Sequence, residues 1–242
     1  MDVELTAKKL SGWIKDKVLA AGCKGAVLGM SGGLDSSVLA ALCIRAFPEN
    51  TLGLIMPCHS SEKDKEHALL VAEKFSIPVK TAVLDDIYNE YLKILPDFKP
   101  EKSLTQLARA NLKARLRMIT LYYTANQLKY LVIGSGNRSE MTVGYFTKHG
   151  DSGVDLLPLG NLVKKEVREL ARFLKIPSVI IEKAPSAGLW AGQTDEAEMG
   201  FTYEALDDYI LTGKAPEELK KRIEGMRAAS THKCTTPPIP DF

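Results

Sequence analysis

The chain has 242 residues, 45% of them hydrophobic, and its 32 basic and 30 acidic residues give a formal net charge of +2. That length and apolar content predict a single domain over residues 1–242 with a core large enough for a stable fold. The near balance of charge argues against nucleic acid as a partner, because such a partner needs a basic face. No apolar run reaches the length of a membrane span, so we expect no membrane association.

The amino terminus and the cysteines predict a cytoplasmic protein. Residues 1–13 mix Asp, Glu and Lys with apolar side chains, which is typical of an amphipathic helix and not of a signal peptide. The four cysteines have neither close pairing nor metal-ligand spacing, so we interpret them as reduced thiols: Cys23, Cys43, Cys58 and Cys234.

Four short apolar segments predict buried parallel strands, at residues 26–30, 52–57, 79–84 and 130–134. Helical patterns lie between and after them: one begins beyond Ser37, a second at a capping box of Ser61 and Asp64, a third spans 103–128, and a fourth starts at an N-cap Asn161 and ends near Pro177. The less regular segments are 88–102, 145–160, 184–200 and 231–242. Alternating strands and helices predict an α/β fold, a doubly wound parallel sheet in a three-layer, Rossmann-like sandwich.

The most informative motif follows the first predicted strand. Ser31-Gly32-Gly33-Leu34-Asp35-Ser36-Ser37 runs directly into a helical pattern, and a helix start presents unpaired N–H groups to an anion. Glycines let the backbone approach a phosphate closely, and serines add hydroxyl donors. Asp35 would repel phosphates unless a cation lay between them. The loop therefore predicts a metal-bridged polyphosphate, most simply Mg-ATP.

Three other interpretations of this loop compete. The Walker loop fails because its lysine is missing. Gly29-x-Ser31-x-Gly33 matches the nucleophile elbow of an α/β-hydrolase, and Asp207 or Asp208 with His232 would complete the triad in the right order. An elbow also needs an earlier strand and loop, whereas only about 25 residues precede this motif. The third interpretation is a plain Gly/Ser turn that caps a helix.

The loop resembles the signature of the PP-loop ATP pyrophosphatases, whose fold is of the adenine nucleotide α-hydrolase type. Members of that superfamily cleave ATP between the α and β phosphates and transfer AMP to a substrate. The resemblance implies that the loop grips the leaving pyrophosphate and that Asp35 serves magnesium.

A second loop follows the fourth predicted strand, over Gly134-Ser135-Gly136-Asn137-Arg138-Ser139-Glu140. A dinucleotide-binding fingerprint is excluded because Ser139 stands where the third glycine belongs. In parallel sheets both loops lie at the same edge, so Glu140 is a candidate partner of Asp35 on the metal ion. The alternative is a solvated residue at a helix start.

With the residues that follow the fourth predicted strand, the chain resembles one family of that superfamily, the NAD synthetases. The resemblance covers most of the chain, and residues 134–214 are similar nearly from end to end. The matching stretches are residues 111–118, 134–140, 144–148, 150–151, 154–159, 183–190 (Lys-Ala-Pro-Ser-Ala-Gly-Leu-Trp) and 193–196 (Gln-Thr-Asp-Glu).

The resemblance implies that Mg-ATP adenylates the nicotinate carboxylate of deamido-NAD and that ammonia displaces AMP to give NAD, the last step of NAD biosynthesis. Asp35, Glu140 and Lys164 would be the catalytic residues, and Asp35 and Glu140 would hold magnesium. The implied ATP-binding residues are Gly29, Met30, Ser31, Gly32, Gly33, Leu34, Asp35, Ser36, Ser135, Lys164 and Ser186. Those implied for deamido-NAD are Arg115, Lys148, Asp155, His232 and Lys233.

Each of these residues also has a purely structural interpretation. Lys164 at a helix start could be a solvated surface residue. Arg115 shares its helix with Arg109, Lys113 and Arg117, whose spacing of four predicts a surface stripe that excludes Arg115. Trp190 could belong to the core or form an aromatic wall for nicotinate. A general base for ammonium is not obvious, although Asp151 and Asp155 are candidates.

Rival functions remain at this point. A glutamine-fed enzyme would carry an additional glutaminase domain, and the short segment before the loop predicts free ammonia instead. A tRNA-thiolating enzyme would need a basic face or paired cysteines. A non-catalytic nucleotide-binding module would not need both Asp35 and Glu140. The family resemblance also implies a homodimer that buries the 103–128 region.

Overall fold

The computed structural model describes residues 1–186 and 194–241. Its four strands form one parallel sheet in the order β3-β2-β1-β4: β1 (Gly25–Gly29), β2 (Thr51–Ile55), β3 (Val79–Thr81) and β4 (Tyr130–Val132). From β1 the chain passes through a helix to β2 on one side, whereas β4 lies on the other side. The order therefore reverses between β1 and β4, and a crevice opens there at the carboxyl ends of the strands.

The described helices cover both faces of this sheet and pack beyond one end of it. They are α1 (Val3–Ala20), α2 (Leu34–Ala46), α3 (Glu62–Lys74), α4 (Asp85–Ile94), α5 (Lys102–Leu128), α6 (Arg138–Val143), α7 (Lys164–Phe173), α8 (Ser178–Ile181), α9 (Asp195–Met199), α10 (Tyr203–Thr212) and α11 (Glu217–Cys234). No helix of the described residues is both long and apolar enough to cross a membrane.

The core follows from the alternation of side chains along β1. Ala26 and Leu28 point into one cluster, which contains buried residues of α1, α2, α3 and α7. Val27 points the other way, into a cluster with Leu121 and Ala125 of α5 and Tyr88 of α4. A third, smaller cluster joins α6, α10 and α11 around Tyr203 and Leu206. The predicted three-layer, doubly wound α/β sandwich is confirmed.

Several local predictions are wrong in detail. Residues 85–94, largely within a segment predicted to be irregular, form α4, because its buried Tyr88 packs into the α5 side of the core. Asn161 does not cap α7; Val163 occupies that position, and its N–H donates to the Glu166 carboxylate. Ser61 is at the cap of α3, but its side chain makes no capping hydrogen bond. Helix α11 extends to Cys234, into the segment expected to be an irregular tail.

Candidate functional site

A cavity of about 680 Å³ lies at the carboxyl ends of β1 and β4. The residues that line it, or that contact its lining, fall into two groups. We call the first the α2 side, which comprises residues 29–36 together with Asn137, Glu140 and Lys164. We call the second the α5 side, which comprises Arg115, Lys148, His232 and Lys233. The topology of the sheet alone brings these distant parts of the chain together.

On the α2 side, the loop after β1 is shaped by its own hydroxyl groups. Ser31 Oγ accepts a hydrogen bond from Gly33 N (3.2 Å) and shares one with Ser36 Oγ (2.9 Å). Gly32 has a φ of +71°, a left-handed conformation that glycine adopts without strain. Gly33 caps α2 without a side chain, so the helix start presents its N–H groups to the cavity. This geometry suits a phosphate.

The hydrolase interpretation is wrong for this loop. In the described residues, the hydrogen bonds of the Ser31 hydroxyl go to Ser36 and Gly33, and no histidine takes part. The Asp207 carboxylate is occupied elsewhere, because it accepts hydrogen bonds from Ser139 Oγ and from the N–H of Lys165. Ser31 therefore has no base beside it and is not an activated nucleophile.

Asp35, Glu140 and Lys164 converge from the first turns of three helices. The Lys164 ammonium donates to Asp35 Oδ2 at 2.6 Å and to Glu140 Oε1 at 3.4 Å. The three side chains are only 4% (Lys164), 14% (Asp35) and 19% (Glu140) exposed. The solvated-surface interpretations of Lys164 and Glu140 are therefore wrong. One cation already lies between two carboxylates, beside the helix start that faces the cavity.

Burial and charge act against each other in this cluster. Burial is the largest influence on Glu140 and raises the pKa of its carboxyl to about 8, although Lys164 pulls it down. Burial opposes the charge on Lys164, but the carboxylates of Asp35 and Glu140 outweigh it and raise the pKa of the ammonium. Lys164 therefore stays charged, and a new cation beside Glu140 would favour the ionised form of its carboxyl.

The same pair of carboxylates fits a magnesium ion. Mg²⁺ prefers oxygen ligands, keeps several waters, and is usually held by one or two carboxylates together with substrate phosphates. Within residues 1–186 and 194–241, no three His, Cys, Asp or Glu side chains form a metal cage. Asp35 and Glu140 instead offer two carboxylates beside the loop that follows β1. That is the donor set expected for an ion shared with a polyphosphate.

Asn137 and Tyr203 also shape the cluster, although neither is among the site residues predicted from the sequence. Asn137 Nδ2 donates to Asp35 Oδ1 (2.9 Å), while its Oδ1 and N–H complete a capping box with Glu140. The Asn-x-x-Glu spacing is a sequence signal that could have revealed this capping box.

The Lys164 ammonium also lies 4.8 Å from the centre of the Tyr203 ring, and the Tyr203 hydroxyl donates to Asp195. No local pattern reveals that contact, because Tyr203 comes from a different helix.

On the α5 side, long cationic side chains donate to main-chain oxygens. Arg115 donates to the carbonyl of Lys148 (3.3 and 3.4 Å), and Lys148 Nζ donates to the carbonyl of His232 (2.6 Å). Lys233 Nζ donates to Gly144 O (2.8 Å) and Phe146 O (2.9 Å). All four residues of the α5 side line the cavity.

Two predictions about α5 and its surroundings need correction. Asp155 is not among the described residues that line the cavity, because its carboxylate accepts from Tyr122 Oη (3.0 Å) and from the N–H of Val132 (2.8 Å). Lys113 and Arg117 do not form a surface stripe. Lys113 is buried, and the Arg117 guanidinium donates to Met56 O and Ser60 Oγ, because α5 packs these residues against the loop after β2.

Asp151 does line the cavity. Its Oδ1 accepts from the N–H of Thr147 at 2.8 Å. Of the two candidates for a base, Asp151 therefore faces the cavity and Asp155 supports the end of β4. Ser135 and Ser186 also line the cavity. Trp190 and Gln193 lie outside the described residues.

The chain is similar to known proteins both in sequence and in fold. A family model described as NAD synthase matches residues 6–237. The NH3-dependent NAD+ synthetase of Carboxydothermus hydrogenoformans is 49% identical over 237 residues, which are 98% of this chain and 97% of that protein. Among solved structures, the NMN synthetase of Francisella tularensis has a TM-score of 0.93 at 36% identity. The NH3-dependent NAD synthetase of Campylobacter jejuni has a TM-score of 0.81 at 29% identity. Each of these two comparisons covers 100% of both chains.

Proposed function

The chain belongs to the NAD synthase family, and on that premise we propose how its cavity works as an ammonia-dependent NAD synthetase. The reaction is the ATP-dependent amidation of deamido-NAD by ammonia, which gives NAD, AMP and pyrophosphate. The enzyme is therefore a ligase that forms a C–N bond. In the proposed arrangement the α2 side binds the ATP phosphates and the α5 side binds deamido-NAD.

The observation that carries this arrangement is the position of the Lys164 ammonium. It lies between Asp35 and Glu140 and beside the start of α2, whose N–H groups face the cavity. A carboxylate is a poor electrophile, so adenylation must first bring two anions together and stabilise departing pyrophosphate. A charged lysine and helix-start N–H groups stabilise the negative charge that develops there.

In the first step, an oxygen of the nicotinate carboxylate attacks the α-phosphorus of ATP. The bond between the α-phosphorus and the bridging oxygen breaks, and pyrophosphate leaves with the electron pair. Lys164 and the N–H groups of residues 32–36 hold the phosphates in line. Asp35 and Glu140 would hold Mg²⁺, which supplies charge neutralisation and a Lewis acid to the phosphates when bound.

In the second step, ammonia attacks the adenylated carbonyl and AMP leaves. The attacking nitrogen must lose a proton, and Asp151 is the proposed acceptor. Its carboxylate lines the cavity and accepts a hydrogen bond from the N–H of Thr147, so a proton acceptor is held at the site. Asp155 is better suited to positioning β4, because both of its oxygens are occupied.

The decisive test is an assay of the purified protein with Mg-ATP, deamido-NAD and ammonium chloride. We expect NAD, AMP and pyrophosphate to form in equal amounts. Glutamine in place of ammonium is the control and should yield no NAD. A folded protein that forms no NAD would exclude the function, and ADP in place of AMP would exclude the proposed chemistry.

A second candidate substrate is favoured by one observation. The NMN synthetase of Francisella tularensis has a higher TM-score than the Campylobacter jejuni NAD synthetase, at 0.93 against 0.81. The same site chemistry would amidate the nicotinate group of a mononucleotide. Parallel measurements of kcat/KM with deamido-NAD and with nicotinate mononucleotide decide between them, and we expect the dinucleotide to give the higher value.

We further propose a homodimer that buries the 103–128 region. Helix α5 presents exposed apolar side chains, among them Leu104 (56%), Ile119 (58%) and Tyr123 (65%). Ile119 and Tyr123 are one turn apart, and adjoining exposed apolar side chains are typical of protein–protein interfaces. Sedimentation velocity should give the mass of two chains for the wild type and of one chain for the double variant Ile119→Glu, Tyr123→Glu. A wild-type monomer would contradict the proposal.

The four free thiols support a reducing cytoplasmic location.

A further inference from the structure

A second lysine lies at the loop that follows β1. Lys183 follows α8 and lines the cavity, three residues before Ser186. Its Nζ donates to Asp64 Oδ1 at 2.5 Å and lies 3.5 Å from the carbonyl oxygen of Gly32. The sequence did not predict a role for Lys183, although this residue begins one of the stretches that are similar to NAD synthetases.

The position of Lys183 is set by a close contact between the loop and α3. At Gly32, which is in the left-handed conformation, a Cβ atom would lie 2.1 Å from the main-chain oxygen of Asp64. The loop and the first turn of α3 therefore touch directly, and the ammonium of Lys183 sits where they meet. It is next to the turn that the phosphates must approach.

The two lysines of the loop differ in how firmly they are held. Lys164 is 4% exposed and shared by two carboxylates. Lys183 and Asp64 are 29% and 24% exposed, and they form a single ion pair. Partly exposed pairs are weak because water and salt screen them. A polyphosphate carries several negative charges and is a stronger partner than one carboxylate.

From this geometry we propose that Lys183 is a phosphate-binding residue, which exchanges Asp64 for the β- and γ-phosphates of ATP and remains on pyrophosphate as it leaves. The inference rests on the proposed function and deepens it. Lys183 takes no part in proton transfer; its ammonium donates hydrogen bonds to phosphate oxygens. Asp64 holds the ammonium beside the loop in the free enzyme and competes with the phosphates for it.

The alternative is an ion pair that only supports the loop. The two roles predict opposite results for the two partners. A supporting pair would be lost equally in Lys183→Met and in Asp64→Asn, so both would weaken phosphate binding. A phosphate-binding lysine would be lost only in Lys183→Met, whereas Asp64→Asn would remove a competitor and a repelling charge.

The experiment measures the dissociation constant of magnesium pyrophosphate by calorimetry for the wild type, Lys183→Met, Lys183→Arg and Asp64→Asn. The control variant is Lys63→Met, which removes a positive charge from the same turn of α3 but is exposed and does not line the cavity. We expect Lys183→Met to weaken binding about ten- to hundredfold, Lys183→Arg to restore most of the loss, and Lys63→Met to have little effect. Asp64→Asn should bind at least as tightly as the wild type.

The kinetic constants give an independent check. Lys183→Met should raise the KM for ATP and leave the KM for deamido-NAD within about twofold, because the ammonium lies on the α2 side. Asp64→Asn binding more weakly than the wild type, or Lys183→Met binding normally, would overturn the inference. Thermal unfolding shows whether each variant is folded, and Lys183→Gln replaces Lys183→Met if that variant is not. A wild type that forms no NAD would instead contradict the proposed function.

Discussion

The α2 side and the α5 side of the cavity hold their charges in different ways. On the α2 side, buried cationic and anionic side chains bind one another, and Asn137 completes their hydrogen bonds. On the α5 side, Arg115, Lys148 and Lys233 donate to carbonyl oxygens, which satisfy hydrogen bonds without neutralising charge. Within the described residues, no carboxylate forms an ion pair with those three.

This contrast bears on how one cavity would bind both anionic substrates of the proposed reaction. A preorganised, water-poor cluster is suited to stabilising charge in a transition state, because its groups need little reorganisation. Cations that are half-buried or exposed, and that are held by neutral carbonyls, are suited to binding a substrate and releasing the product. Changes on the α2 side should therefore lower kcat, and changes on the α5 side should raise KM.

The largest effect is expected for Lys164→Met, which removes the cation of the α2 side. We expect kcat to fall by about 10²–10³-fold, as on loss of a group that stabilises the transition state. Lys165→Met is the matched control, because the neighbouring side chain is exposed and does not line the cavity. Single-turnover formation of AMP measures the effect. A near-normal rate in Lys164→Met would break the proposed distinction between the two sides.

Gly32→Ala should have the next largest effect, because it disturbs the backbone of the α2 side. The new Cβ would lie 2.1 Å from Asp64 O, and the φ of +71° disfavours any side chain. The expected loss is about 3 kcal/mol in the free energy of unfolding. Gly33→Ala is the control, because its Cβ would meet Ser31 Oγ at 3.3 Å with an ordinary φ of −92°. Denaturant unfolding of both variants measures the difference, and equal losses would contradict the strained contact.

Glu140 predicts a pH dependence of stability in the metal-free protein. Its folded pKa of about 8 lies above its ordinary value of 4.5. A raised pKa means that its stabilising contribution is complete below about pH 4.5 and is lost as the pH rises through about 8. Compared with Glu140→Gln, the wild type should lose on the order of 4 kcal/mol between pH 5 and pH 9. Denaturant midpoints of both proteins measure this, and parallel pH profiles would contradict it.

The smallest of these effects is expected on the α5 side. Arg115→Met should raise the KM for deamido-NAD about tenfold and change kcat little, because the exposed guanidinium contributes one charged contact to the bound substrate. Arg109→Met, at an exposed position of the same helix that does not line the cavity, is the control. Steady-state kinetics with varied deamido-NAD measure the change. A loss confined to kcat would place Arg115 with the catalytic cluster instead.

Parts of the fold and site that depend on local pattern were predictable from the sequence. The strands are short apolar runs, and their predicted positions hold to within a few residues, with the greatest error at the end of β3. Asp35 and Glu140 were paired by a topological argument, because loops at one edge of a parallel sheet must face each other. The hydrogen bond between Tyr122 and Asp155 and the burial of Lys113 could not be predicted in this way. Both depend on how helix α5 is oriented against the sheet, which the sequence pattern did not indicate.

By itself, the sequence determined the order of the elements, the phosphate loop and the chemistry of its residues, because hydrophobic periodicity and glycine spacing are properties of short segments. The fold decided which lysines meet these carboxylates. Lys164 is 129 residues from Asp35, and Lys183 is 119 residues from Asp64. The contacts of Lys164 arise because the sheet reverses its strand order between β1 and β4, which brings the starts of α2, α6 and α7 to one edge. Electrostatic interactions depend on such distances and on burial, which only the folded chain defines.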